Sequence, residues 1–140
     1  IKSTITDMTH FMAANMGLVP LDKDIQQALD NNRKGYYQAS TFTQGLGWEM
    51  YPYPAKLNTL LEGNSMDVVL KPQTITTDNQ PTPILNNLWV NKTGATNGFG
   101  GYIAYIPAEK SGIVILANKN YPNAERVKAA YTILESAMTH

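Results

Sequence analysis

Apolar residues recur at helical spacing near the start of the chain, where Ile5, Met8, Phe11, Met12 and Met16 fall on one stripe. Ser3 or Thr4 precedes the stripe as a side-chain cap, and Gly17 with Pro20 beyond it supplies the stop. Asp22 opens a second, weaker helix through Ile25, Ala28 and Leu29, ending near Asn31 and Asn32. The period then changes. From Gln44 to Met50 the chain alternates, with Leu46, Trp48 and Met50 on one side, which predicts a strand that Tyr51-Pro-Tyr-Pro54 ends. The pattern is weakest from Ala55 to Pro83. It holds a short helix near Leu57 and Leu61, another short element near Met66–Leu70, and a loop rich in Thr, Asp, Asn and Pro from Thr74 to Pro83.

The last third is clearer. Leu88–Thr93 and Gly101–Ile106 read as strands, Pro107–Gly112 as a turn, and Ile113–Ala117 as a third strand. Such short connections make an antiparallel meander. Pro122 and Asn123 start a helix carrying Val127, Ala130, Tyr131, Leu134 and Ala137 or Met138 on one stripe. The predicted fold is α+β, an antiparallel sheet flanked by helices, arranged as two layers.

Composition narrows the chemistry. At 140 residues the chain fits one domain, and 43% hydrophobic content suits a packed core. Eleven basic and eleven acidic residues balance, so no charge excess favours nucleic acid or an anionic membrane surface. No apolar window has the length of a membrane span. Without cysteine there are neither disulfides nor thiolate metal sites, and two isolated histidines, His10 and His140, do not make a zinc site. No metal or cofactor is expected. The start at Ile1, with neither an initiator methionine nor a signal peptide, suggests a processed product or a piece of something longer.

The chemistry concentrates in LWVNKTGATNGFGGY, from Leu88 to Tyr102. Lys92 brings a compact positive charge that can lower a neighbouring hydroxyl's pKa or hold a carboxylate. Thr93 adds a hydroxyl. Gly94 removes a side chain so that a substrate can lie against the strand edge, and the N–H of Ala95 can face a developing oxyanion. A solvated lysine followed by a turn is the bland alternative. Trp89, Tyr102 and Tyr105 fit sheet packing better than ligand contact. Asp22 and Asp24 read as helix-start charges, and Glu49, which alternates to the side opposite Trp48, carries no assigned role.

The stretch from Trp89 to Leu134 closely resembles the C-terminal part of class C β-lactamases, through its Lys-Thr-Gly box, Gly-Phe-Gly turn and Leu-Ala-Asn-Lys-Asn-Tyr-Pro-Asn run. Gly45-Leu-Gly-Trp-Glu-Met50 and Ile1-Lys-Ser-Thr with Asp7-Met8 look like the same family. The resemblance implies the β-lactamase and penicillin-binding transpeptidase-like fold, with residues 1–140 as the C-terminal portion of one catalytic domain. It implies that Lys92 joins the hydrogen-bond network of the nucleophile and that the Ala95 N–H serves the oxyanion hole. Thr93 and Gly94 would line the β-lactam, with Asn120, Asn123 and Arg126 near its carboxylate. It also implies a periplasmic location. Asn123 is equally an N-cap and Arg126 equally an outward solvated side chain.

The family's nucleophile lies in a Ser-x-x-Lys motif and its tyrosine in Tyr-x-Asn, both before Lys-Thr-Gly. Ser3, Ser40, Ser65, Ser111 and Ser136 all lack the lysine, and Tyr121-Pro-Asn123 comes after the box. The expected partner is therefore the nucleophile-bearing N-terminal portion of the same enzyme. Alone, this chain is expected to leave apolar surface uncovered and to bind dyes that report it. A DD-peptidase or serine esterase on the same scaffold, or a binding module without a nucleophile, are the alternatives.

Overall fold

Thr4 and Asp7 satisfy each other's end of the first helix. The Asp7 N–H donates to Thr4 Oγ1, the Thr4 N–H donates to the Asp7 carboxylate, and α1 runs Ile5–Asn15. Gly17 follows with φ of 70°, a conformation that favours glycine. Helix α2 spans Lys23–Asn32. Asp22 stands at its N-cap position but makes no capping bond, and Asp24 supplies the first-turn charge. These elements belong to a computed structural model that describes residues 2–77 and 80–139. Ile1, His140 and the 78–79 part of the expected loop lie outside those residues.

Among the described residues six antiparallel strands follow in spatial order β1 to β6. They are β1 (Tyr37–Gln38), β2 (Thr43–Gln44), β3 (Glu49–Pro52), β4 (Leu88–Thr96), β5 (Phe99–Ile106) and β6 (Ser111–Ala117). Helices α3 (Leu57–Gly63) and α4 (Met66–Leu70) stand between β3 and β4, and α5 (Asn123–Met138) closes the chain. The β4–β5 turn is Asn97-Gly98, where Gly98 takes φ of 93°. This tight turn lets both strands run past the expected ends, to Thr96 and from Phe99. Similarly, β6 begins at Ser111, two residues early, and β1 is a pair of residues too short to carry a pattern.

The expected single strand from Gln44 to Met50 is instead a hairpin. Thr43 pairs with Met50 and Gln44 with Glu49. Between them the Gly45 N–H bonds to the Trp48 carbonyl at 2.8 Å, and Gly47 takes φ of 94°. The Leu46 N–H reaches the Asn32 carbonyl at 3.0 Å, so Leu46 sits at the tip, half exposed, instead of in line with Trp48 and Met50. Two glycines override the alternation, because they admit a turn that side chains resist.

The sheet carries helices on both faces, so the arrangement has three layers and not two. On one face Trp89, Tyr102, Ala104 and Ile106 pack with Val127, Ala130 and Leu134 of α5 and Leu60 of α3. On the other, Met12 of α1 meets Trp48, Met50, Val90, Ile103 and Tyr105. Residues on both sides of β4 and β5 are apolar, which is what a twice-covered strand requires. Each large side chain so buried contributes about 1.5–3 kcal/mol. The α5 stripe is as expected, with Met138 and not Ala137 inward. Ile5 and Phe11 of α1 stay largely outside, although Phe11 stacks on Trp48 at 6.1 Å.

Burial pushes the hydroxyls of Tyr51, Tyr102 and Tyr105 well above the ordinary tyrosine value of 10.0, and the charge of Glu49 adds to this at Tyr51 and Tyr102. The unfolded chain gives up these protons near the ordinary value while the folded chain keeps them. The stability they confer is therefore full below about pH 10 and declines above it. Urea melts at about pH 9 and about pH 11 are expected to show lower stability at the higher pH, with these tyrosines silent in the native ultraviolet titration. Three tyrosines ionising at the ordinary pH in the folded protein would contradict the packing.

Candidate active site

Strand β4 pairs with β5 from Val90 opposite Tyr105 to Thr96 opposite Phe99. Its other neighbour, β3, covers only Leu88 to Asn91, the last pair being Glu49 with Asn91. Had the chain continued straight before Glu49, the same register would set Trp48 against Lys92, Gly47 against Thr93, Leu46 against Gly94 and Gly45 against Ala95. The glycine hairpin turns those residues away. Among the described residues the edge of β4 from Lys92 to Thr96 is consequently free on the β3 side, and its backbone groups are open to an extended ligand. Gly94 is exposed, and nothing lies within 4 Å of where a Cβ would stand.

Lys92 opens this ledge. Its Nζ donates to Glu49 Oε1 at 2.5 Å, with the lysine side chain 43% exposed and the glutamate 9%. The other carboxylate oxygen, Oε2, accepts from Asn91 Nδ2 at 3.0 Å. Asn91 is fully buried. It exchanges amide hydrogen bonds with Asn64 at 3.3 and 3.4 Å, and its Oδ1 also accepts from the Tyr102 hydroxyl at 3.2 Å. Trp89 Nε1 donates to that hydroxyl at 3.3 Å. Beside the ion pair lies a groove of about 290 Å³ whose lining includes Tyr37, Phe42, Val68, Ile75, Glu49 and Lys92.

Asn120 and Asn123 leave the sheet from the end where Ala95 pairs with Gly100 and Gly100 with Ala117. Asn120 is exposed and Asn123 partly buried. Asn123 is not the N-cap of α5. It is the first helical residue, with Pro122 at the cap position. Arg126 is not an outward solvated side chain. At 1% exposure it is buried, donating to the Tyr121 carbonyl at 3.2 Å and to Asn123 Oδ1, with its guanidinium 5.2 Å from the Tyr121 ring centre. A Cβ on Gly100 would collide with that guanidinium, so the bare glycine of β5 makes the space. Arg126 therefore shapes the Tyr121–Asn123 turn from behind.

Lys92, Thr93, Gly94 and Ala95 thus lie consecutively on one open edge, while Asn120, Asn123 and Arg126 lie at the same end of the sheet beyond β5. Glu49, Asn64 and Asn91 were without a role in the sequence. Alternation gives the face of Glu49, but only the β3–β4 register puts it beside Lys92. No signal in the sequence singles out Asn64, which ends α3 and lies 27 positions from Asn91.

A six-stranded antiparallel sheet between helices, with Lys-Thr-Gly on a free inner edge, defines a transpeptidase-like scaffold. The beta-lactamase family profile matches residues 1–138. A beta-lactamase of Psychrobacter immobilis is 69% identical over the whole chain, which covers 35% of that relative. A solved class C beta-lactamase in complex with cefoxitin is 47% identical, with a TM-score of 0.91 over 96% of this chain and 37% of that one. A solved structure of a D-alanine carboxypeptidase from Burkholderia cenocepacia is 43% identical, with a TM-score of 0.93 over 96% and 39%. The chain belongs to the beta-lactamase family and resembles the C-terminal portion of its class C members. It spans little more than a third of the length of these relatives.

Proposed function

We propose that this chain supplies the Lys-Thr-Gly wall of a periplasmic serine β-lactamase, the nucleophilic serine coming from the portion of the same protein that precedes it. The free edge of β4 from Lys92 to Thr96 carries this reading. A β-lactam substituent with an amide lies along that edge as an added strand, and Gly94 leaves room for it. The serine Oγ attacks the lactam carbonyl carbon, the Ala95 N–H receives the developing oxyanion, and the ring C–N bond breaks as its nitrogen takes a proton. Water then cleaves the acyl ester and releases the serine. Lys92 steadies the negative charge near the nucleophile and ligand, with Thr93 as a hydroxyl donor beside it. Asn120 and Asn123 face the substrate carboxylate. With Asn123 Oδ1 held by Arg126, its amide NH2 is left to donate.

The test is hydrolysis of a chromogenic cephalosporin by the whole protein, set against release of D-alanine from a D-Ala-D-Ala peptide. Cephalosporin turnover exceeding peptide turnover is the expected result. The reverse order favours a carboxypeptidase, a reading that the likeness to the Burkholderia cenocepacia structure supports. Tight lactam binding with no turnover of either makes the protein a binding module.

A further inference from the structure

We infer that Glu49 is the positioning residue of Lys92, and that Asn91, locked by Asn64 and Tyr102, is what aims Glu49. The inference deepens the proposed function and rests on it for its activity readout. Lysine is a point charge on a four-carbon stem, and one that is 43% exposed has no packing to fix its head. Among the described residues the head has one carboxylate partner, Glu49 Oε1. That carboxylate is itself held, because its second oxygen is taken by Asn91 Nδ2.

The direction of the Asn91 amide is not arbitrary. A hydroxyl donor, Tyr102, faces its Oδ1, and Trp89 Nε1 supplies a donor to the Tyr102 oxygen from behind. This leaves the Asn91 NH2 to point at Asn64 Oδ1 and Glu49 Oε2. Asn64 is fixed in turn by its bond to the Leu60 carbonyl at 2.9 Å within α3. Each member is buried and each has its partner, so the set is rigid where Lys92 is not. A short chain of side chains thus runs from the end of α3, across the paired strands β4 and β3, to the first residue of the ledge.

The experiment uses the whole protein with Glu49→Gln, Asn91→Leu and Lys92→Ala, singly and combined. Glu49→Gln is expected to lower kcat/KM for a cephalosporin about tenfold, and less than about twofold when Lys92 is already alanine. Asn91→Leu is expected to follow the same pattern with a smaller factor. Equal losses in both backgrounds would mean that Glu49 only supports the fold, and would overturn the inference. Reductive methylation of Lys92, read by peptide mass spectrometry, gives a measure independent of catalysis. It is expected to quicken about fivefold in Glu49→Gln as the ammonium loses its partner, and an unchanged rate would also overturn the inference. If Glu49→Gln does not fold, Glu49→Asp, one methylene short of Lys92, takes its place with the same expected quickening. If the whole protein hydrolyses no lactam, the proposed function fails and the methylation rates alone decide the positioning role.

Discussion

Lys92→Ala in the whole protein is expected to slow cephalosporin hydrolysis by about 10²–10³-fold, the usual loss when a charge-stabilising donor leaves an active site. The melting temperature is expected to fall by only a few degrees. Lys92 is 43% exposed, so water can enter where the ammonium stood, and Glu49 keeps its bond to Asn91. Steady-state kinetics and a thermal melt check the two halves separately. A loss below about fivefold, with the protein still folded, would remove Lys92 from the chemistry. An Asn120→Ala change is expected to act chiefly through KM, because the proposed site sets this exposed residue at the ligand's periphery.

Trp89→Ala is expected to cost about 3–5 kcal/mol, as do other deletions of buried aromatic rings. Trp89 is fully buried between sheet and α5, its ring 5.9 Å from that of Tyr131. Its removal opens a cavity in the core that ties the last helix to the sheet and takes away the indole donor of the Tyr102 hydroxyl. Urea denaturation of the whole protein measures the cost. A loss under about 1.5 kcal/mol would mean that α5 settles into the space, and that the core is looser than its burial indicates. Because Trp89 lies three positions before Lys92 on the same strand, impaired turnover is expected as a secondary effect.

Much of this architecture can be read from side-chain order, and the exceptions have specific causes. The capping box at Thr4, the stripe of α5 and the meander of the last three strands follow from local periods of 3.6 and 2. The Gln44–Met50 stretch defeats that reading, because its alternation is genuine while Gly45 and Gly47 let the backbone fold back on itself. The outcome matters most at the site, since a straight strand there would have sealed the ledge. The Lys-Thr-Gly tripeptide is visible as chemistry, yet its continuation to Thr96 depends on pairing across Asn97-Gly98, not on any apolar pattern. Arg126 is hidden for a different reason. Its burial depends on a missing side chain at Gly100, 26 positions away, and no local rule connects the two. Glu49 and Asn91 are likewise joined by strand register alone.

Among the described residues β6, one of the two edge strands, pairs with β5 alone, and its run Ile113-Val-Ile-Leu116 holds no charge and no proline. Those are the properties of a segment that templates its own copies: identical stretches stack in register, each new one closing the backbone bonds left by the last. An edge of that kind, where it stays open, is a place for the same strand of a second copy to pair.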